Sequence, residues 1–366
     1  MRIYTVTYLI NNYGSILQAY ALQCRLKEFG GEPVIIYKKA TQSNSFLHTL
    51  KRVLTPQKHY SLIQRIKKEQ QKKKFEKKNE KIAGFISKNL STKEITKIDD
   101  FVKGVDANDV FLAGSDQIWN VLNSSLSKWY SLQWVQSGNK YSYAASIGLD
   151  KLTEEQRQMY RTGLSEFQMI SLRESQAVSL LSPSFENKVR QDLDPTLLYD
   201  GNFWRQFASR RKEEEPYVFV YMLRPDKGVI ELAKRVAEER KCKVIYTGLY
   251  TDRIKGVTTI CDAGVEDFLS YIDFADAVVT NSFHGTVFSV LFKKPFLSVK
   301  LETTSSRVES FLEMTGLGTR LVKAPFISAT IPDADYVKAD NVLARERMKS
   351  LDYLASICNR NGMESE

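Results

Sequence analysis

Histidine, cysteine and long apolar runs are all scarce in this chain. Three histidines and four cysteines stand among 366 residues. Cys24, Cys242, Cys261 and Cys358 are scattered, with no C-x-x-C pair and no neighbouring histidine. That pattern argues against a zinc site and for free thiols in a cytosolic enzyme. No His/Asp/Glu cluster has ligand spacing, so no metal is expected. The longest apolar runs fall well short of the ~18–20 residues that a membrane span needs. The opening "MRIYTVTYLINN" lacks the longer apolar region and small-residue cleavage site of a signal peptide, so it reads as a first strand.

What is present is an ordinary globular composition, 43% hydrophobic and 26% charged. The length suggests two domains. The net charge of +10 is unevenly spread: residues 41–100 hold fifteen Lys and Arg against six Asp and Glu, which leaves +1 for the remainder. The centre of that segment, "RIKKEQQKKKFEKKNEK" (65–81), has almost no apolar face and reads as a solvated helical arm, although "IAGFI" (82–86) could dock. A functional reading sets the arm, residues 51–88, against an anionic membrane surface or a polyanionic substrate. Nucleic acid is not an expected partner, because no aromatics interleave with the lysines.

Along the chain, apolar strand patterns alternate with helical ones. "RIYTVTY", "PVIIYKK", "DVFLAG", "KYSYAASIG" and "QMISLRE" read as strands of a first half, and "YVFVYMLR", "KVIYTG", "DAVVTNS" and "PFLSV" as strands of a second. Helices of 10–15 residues between strands mean parallel sheets covered on both faces. The fold class is therefore α/β, with two Rossmann-like domains facing across a cleft. The aperiodic "DLDPTLLYDGNFW" (192–204) marks the boundary, giving domains 1–200 (with the basic insert 41–100) and 201–366. A last helix over 340–358 is expected to pack back across it.

In open parallel sheets, ligands bind beyond the carboxyl ends of the strands. The unusual polar residues fall there repeatedly: Asn11-Asn12-Tyr13-Gly14, Ser115-Asp116-Gln117 with Trp119 close behind, Arg173, Arg224, and Asn281-Ser282-Phe283-His284-Gly285-Thr286. Each has a plain structural alternative. The asparagines could make a turn, and a single glycine is not the G-x-G-x-x-G nucleotide fingerprint. Asp116 could cap a helix. Trp119 could be a core aromatic, Arg173 could pair with Glu174 at the surface, and His284 could cap the helix that it opens. The functional alternative for His284 is a neutral ring beside a bound anion at a helix N-terminus.

"NNYGSILQAYALQ", "VFLAGSDQIWN", "YAASIG", "SLRE", "DPTLL" and "TNSFHGTVFSVLFKKPF", in this order, resemble the polysaccharide pyruvyl transferase family over most of residues 1–320. The resemblance implies a GT-B-like fold. It implies transfer of a pyruvyl group from phosphoenolpyruvate, a co-substrate needing no cofactor, to two hydroxyls of a sugar in a cell-surface polysaccharide precursor. The product is a cyclic ketal. It makes His284 the active-site histidine and Arg173 the arginine of the first domain, with Asp116 a second candidate base. The acceptor, a sugar or lipid-linked oligosaccharide, falls to the first domain at Asn11, Asn12, Tyr13, Gly14, Ser115, Gln117 and Trp119. The donor falls to Arg173, Arg224, Ser282, Gly285, Thr286 and Arg307. Family members often carry an arginine two residues before the histidine, where this chain has Ser282, so Arg307 or Arg224 is expected to replace it. Two other functions remain open: a GT-B glycosyltransferase using a nucleotide sugar, and a non-catalytic carbohydrate-binding relative. The expected location is the cytoplasm, peripheral to the inner membrane face.

Overall fold

The computed structural model describes residues 1–38, 62–122, 124–136, 139–222, 226–248, 254–301, 306–326 and 328–359. The alternation of the sequence becomes two parallel sheets. In the first, β1 (Arg2–Val6), β2 (Glu32–Lys38), β3 (Thr92–Ile95), β4 (Val110–Ala113) and β5 (Lys140–Ser142) lie in the order β3-β2-β1-β4-β5. The short parallel pair β6 (Ile170–Leu172) and β7 (Val189–Gln191) extends it through the bridges Tyr141↔Met169 and Ala145↔Leu172. The second sheet holds β8 (Tyr217–Met222), β9 (Lys243–Gly248), β10 (Thr258–Ile260), β11 (Ala277–Thr280), β12 (Phe296–Val299) and β13 (Leu321–Val322). Its order is β10-β9-β8-β11-β12-β13, again all parallel.

Both orders reverse at their first strand, β2-β1-β4 in one sheet and β9-β8-β11 in the other. Connections leave such a switch point in opposite directions and open a crevice beyond the strand ends. The polar joints after β1 and β4 flank one crevice, and the joint after β11 flanks the other. All six residues of β8 are buried, as a strand covered on both faces must be.

The helices begin where short polar side chains satisfy their first amides. Asn12 caps the Tyr13–Glu28 helix, Asp226 the Lys227–Arg240 helix and Asp335 the C-terminal Tyr336–Cys358 helix. Thr153 and Gln156 form a reciprocal capping box at Glu154–Gly163. One apolar core runs from Ile3 and Leu112 through Trp204 and Phe268 to Phe288 and Leu354, so the inner faces of the two sheets share a continuous interior. The C-terminal helix seals it from the first-sheet side. Tyr353 donates to the Ser142 carbonyl at 2.9 Å, and Arg347 to the Leu197 carbonyl at 2.8 Å. Met348, expected on the apolar face of this helix, is instead 60% exposed.

The basic segment departs most from its sequence reading. Residues 51–61 lie outside the described residues, but the Leu62–Asn89 helix is docked rather than solvated along its second half. Ile82 and Phe85 are buried, and so is Lys78, at 1% exposure. The Lys78 ammonium donates to the Gly248 carbonyl at 2.9 Å and stands 4.7 Å from the centre of the Tyr13 ring. Asn79 bonds Asn11, and Lys81 reaches Asp267 at 2.7 Å. The helix therefore ties the first crevice to the end of β9 and to the Val265–Asp273 helix. Lys73, Lys74 and Lys77 remain exposed. No described helix is long and apolar enough to cross a membrane.

Candidate active site

The Phe283–Leu291 helix starts directly after β11, and its cap is Ser282, whose side chain accepts from the Gly285 amide at 3.4 Å. The Thr286 amide bonds the Ser282 carbonyl at 3.0 Å. The Gly285 and Thr286 amides expected to meet the donor are thus already engaged, and Ser282 serves the backbone. Gly285 has a packing reason: a Cβ there would lie 2.4 Å from Thr280 Oγ1 on the preceding strand. With the cap assigned to Ser282, the histidine needs another explanation.

His284 is buried, at 5% exposure, and lies at the contact between the two crevices. A Cβ on Gly14 would fall 2.0 Å from its Nδ1, so only glycine at the start of the first-domain helix admits the ring. Its Nε2 lies 3.5 Å from Asp194 Oδ2 and makes no hydrogen bond. The ring meets Phe283 edge-on at 5.2 Å.

Asp194, from the stretch read only as a domain boundary, organises the surroundings. Its Oδ2 accepts from Arg173 Nη1 at 2.7 Å and from Ser115 Oγ at 3.3 Å. Its Oδ1 accepts from the Thr196 amide at 3.0 Å and the Thr196 hydroxyl at 2.6 Å. Burial alone would push its pKa up, but the His284 ring and the Arg173 guanidinium outweigh it and hold the carboxyl well below the usual carboxylate range. Asp194 is therefore a buried carboxylate that joins the arginine of one sheet to the histidine of the other.

Arg173 is buried too, and its expected pairing with Glu174, Nε to Oε2 at 4.0 Å, lies in the interior rather than at the surface. The Glu174 carboxylate is buried instead, with Oε1 accepting from Ser146 Oγ and from the Ile147 and Gly148 amides, each at 3.0 Å. Arg173 keeps Nε and Nη2 without hydrogen-bond partners. Its guanidinium sits 4.4 Å from the centre of the Phe283 ring, and that of Arg307, on the Ser306–Met314 helix, 6.0 Å from the same ring. Arg307 Nε is likewise buried and unpartnered. Burial and the nearby Arg173 charge lower Arg307 to about 10. Two guanidinium groups thus converge on the residue next to Ser282 with N–H groups unused. They open on a cavity of about 300 Å³ lined also by Asp194, Leu197, Phe311 and Met314. A ligand carrying two anionic groups suits such a pair of forks.

The other expected residues divide. Asp116, at 9% exposure, lies in the left-handed region (φ 77°) and accepts the Gln117 amide at 2.8 Å, with no helix to cap. Its charge is felt by Arg173, Arg307 and Tyr221, which places it beside the cluster. Asn11 Oδ1 and Gln117 Nε2 are buried without partners and remain available to a ligand. Asn12 is held by the Gly14 amide and by the Tyr221 hydroxyl, both at 3.1 Å. The Ser115 hydroxyl stands 2.9 Å from the Ala144 carbonyl and 3.3 Å from Asp194 Oδ2. Tyr13 and Trp119 are corrected to core residues. The Tyr13 hydroxyl donates to the Ala263 carbonyl at 2.8 Å and its ring stacks on Phe268. Trp119 is fully buried, its indole N–H bonded to the Tyr130 carbonyl at 2.9 Å. Arg224 lies outside the described residues. Asp194 is the functional residue that pattern reading missed; its signal was an aspartate before proline within "DPTLL".

The family model described as polysaccharide pyruvyl transferase matches residues 12–302. That span covers most of the chain, including both crevices and His284, and the chain belongs to this family of transferases. No curated protein matches it. Among solved structures it is similar to Arabidopsis thaliana UGT89C1 complexed with UDP-L-rhamnose, at 11% identity, TM-score 0.53, over 98% of this chain and 99% of that one. It is also similar to a putative UDP-N-acetylglucosamine 2-epimerase from Listeria monocytogenes, at 11% identity, TM-score 0.51, over 100% and 97%. At that identity the likeness is one of fold, the GT-B arrangement.

Proposed function

We propose that this transferase moves the pyruvyl group of phosphoenolpyruvate onto two hydroxyls of one acceptor sugar, forming a cyclic ketal. The observation that carries the reading is the guanidinium pair of Arg173 and Arg307, with unused N–H groups, beside the buried His284. The chain lacks an arginine at Ser282, and Arg307 reaches the same neighbourhood from another helix. The anion-binding capacity is therefore supplied from a different place in the sequence. UDP-sugar chemistry is not favoured by this arrangement, and the fold likeness to UGT89C1 does not carry it.

The chemistry follows from the donor. A proton delivered to the methylene carbon of phosphoenolpyruvate makes C2 electrophilic, and one acceptor hydroxyl adds there. Loss of phosphate regenerates the electrophilic carbon, and the second hydroxyl closes the ring. One hydroxyl proton ends in the new methyl group and the other on the departing phosphate, so atoms balance. In this reading His284 carries those protons, with Asp116 a second base and Asp194 holding Arg173 beside the ring. A sugar or lipid-linked oligosaccharide serves as acceptor, and the exposed Lys73, Lys74 and Lys77 would hold the enzyme to an anionic membrane carrying the latter.

The test is phosphate release from phosphoenolpyruvate in the presence of candidate sugars. His284→Ala is expected to lower turnover by ~10²–10⁴ with the fold intact. Full activity in that variant, or no acceptor-dependent release by the unmodified enzyme, would defeat the reading.

A further inference from the structure

Asn281 directly follows β11, three residues before His284, and no role has been assigned to it so far. Its side chain is 7% exposed, yet both Nδ2 and Oδ1 are buried without a hydrogen-bond partner. Its surroundings are fixed. The next amide, of Ser282, bonds Thr280 Oγ1 at 3.0 Å, and Thr280 Oγ1 donates to the Tyr221 carbonyl at 2.7 Å. Tyr221 pairs with Thr280 in the sheet and carries the hydroxyl that meets Asn12 of the first domain. Asn281 therefore stands on the same joint as His284, directly after the strand residue that pairs with Tyr221.

A buried carboxamide with neither end satisfied is unfavourable in the protein alone, which points to a ligand that satisfies it. The nature of the two ends selects that ligand. Phosphate and carboxylate only accept, so phosphoenolpyruvate would satisfy Nδ2 and leave Oδ1 without a donor. An alcohol both donates and accepts, so hydroxyl groups satisfy both ends. The conclusion is the same whichever way the amide is turned, because neither atom has a partner. The guanidinium groups of Arg173 and Arg307, by contrast, offer donors alone.

We infer that Asn281 is the acceptor-reading residue, whose carboxamide binds hydroxyl groups of the sugar beside His284. The inference rests on the pyruvyl-transfer reading for its reaction but not for its ligand class, and two measurements separate them. The first needs no substrate. Asn281→Leu, nearly isosteric, removes two unsatisfied polar atoms and no internal hydrogen bond, so its melting temperature should equal or exceed that of the unmodified protein by about 2 °C. A clear fall would show that Asn281 is structural and overturn the inference.

The second uses methyl hexopyranosides as probes in saturation-transfer NMR, without donor. Binding to the unmodified protein, weakened about tenfold or more in Asn281→Leu and retained in Arg307→Met, supports the assignment. Equal binding in the Asn281 variant, or no binding by the unmodified protein, overturns it. In the phosphate-release assay, the same Asn281 variant should raise the acceptor KM and leave the donor KM unchanged. Failure of phosphate release together with Asn281-dependent sugar binding would defeat the donor assignment alone.

Discussion

Lys78 and the Arg173–Arg307 pair are cations withdrawn from solvent, and their surroundings differ in one respect. Lys78 has a carbonyl at 2.9 Å and an aromatic face at 4.7 Å. Arg173 has one hydrogen bond, to Asp194, and two nitrogens without hydrogen bonds, one of them 4.0 Å from the Glu174 carboxylate, and Arg307 has an Nε without a hydrogen bond. A buried charge whose nitrogen is held by a carbonyl and a ring face holds structure together. One whose contacts are incomplete is arranged for something the protein does not itself contain. This division is not written in the local sequence, because which partners a buried cation finds depends on residues distant in the chain.

The comparison breaks most severely at Arg173, which has both characters. Arg173→Ala removes a donor contact and also leaves the buried Asp194 without its cation, a loss of about 3–5 kcal/mol when one partner of a buried pair is deleted. Phosphoenolpyruvate affinity, measured by titration calorimetry, and melting temperature should fall together. A variant that loses affinity alone would assign Asp194 to His284 rather than to Arg173.

Gly14 tests the shape side of the same site. Its missing Cβ would stand 2.0 Å from His284 Nδ1, so Gly14→Ala must displace the ring. Misplacement of a reacting group by about 1 Å lowers turnover roughly 10²-fold. The expected result is a fall in kcat with little change in donor KM. Unchanged kcat would mean that the ring has room to move without consequence.

Arg307 isolates the incomplete character. Arg307→Met keeps length and apolar contact with Phe283 while relieving repulsion from Arg173. Donor KM should rise about tenfold, as for loss of a charged hydrogen bond, with melting temperature unchanged or higher. Falling stability with an unchanged KM would place Arg307 with Lys78 as a structural cation.

The strand and helix alternation, and the placing of polar joints at strand ends, were legible because both depend on local periodicity and on a general property of parallel sheets. His284 and Arg173 were legible for the same reason. Tyr13 and Trp119 were not, since a polar joint delivers alternate side chains inward and outward, and their partners (Phe268, the Tyr130 carbonyl) are distant in sequence or set by the turn. Asp194 was hidden in an aperiodic stretch whose importance comes from what folds onto it. The basic run misled for a related reason: Ile82, Phe85 and Ile86 marked a docking face, but which lysine that face would bury depends on the tertiary surface that it meets.

Lys78→Met is expected to have the smallest effect on catalysis and to act on stability through pH. Burial lowers the ammonium from 10.5 to about 8 in the folded protein. Below about 8 the group is charged in both states, and the unfavourable burial of its charge is constant. Between about 8 and 10.5 the unfolded chain binds the proton and the folded one does not, so this group makes stability rise with pH there. Above 10.5 both are neutral and the contribution is flat. Removing the amine should therefore flatten the pH dependence of urea-unfolding free energy in that window, when the variant is compared with the unmodified protein. Donor KM should stay the same, because the Lys78 contacts are to the Gly248 carbonyl and the Tyr13 ring rather than to a ligand. If donor binding weakens while the pH slope is unchanged, Lys78 belongs with the arginines, and completeness of internal contacts is not what separates the two kinds of buried cation here.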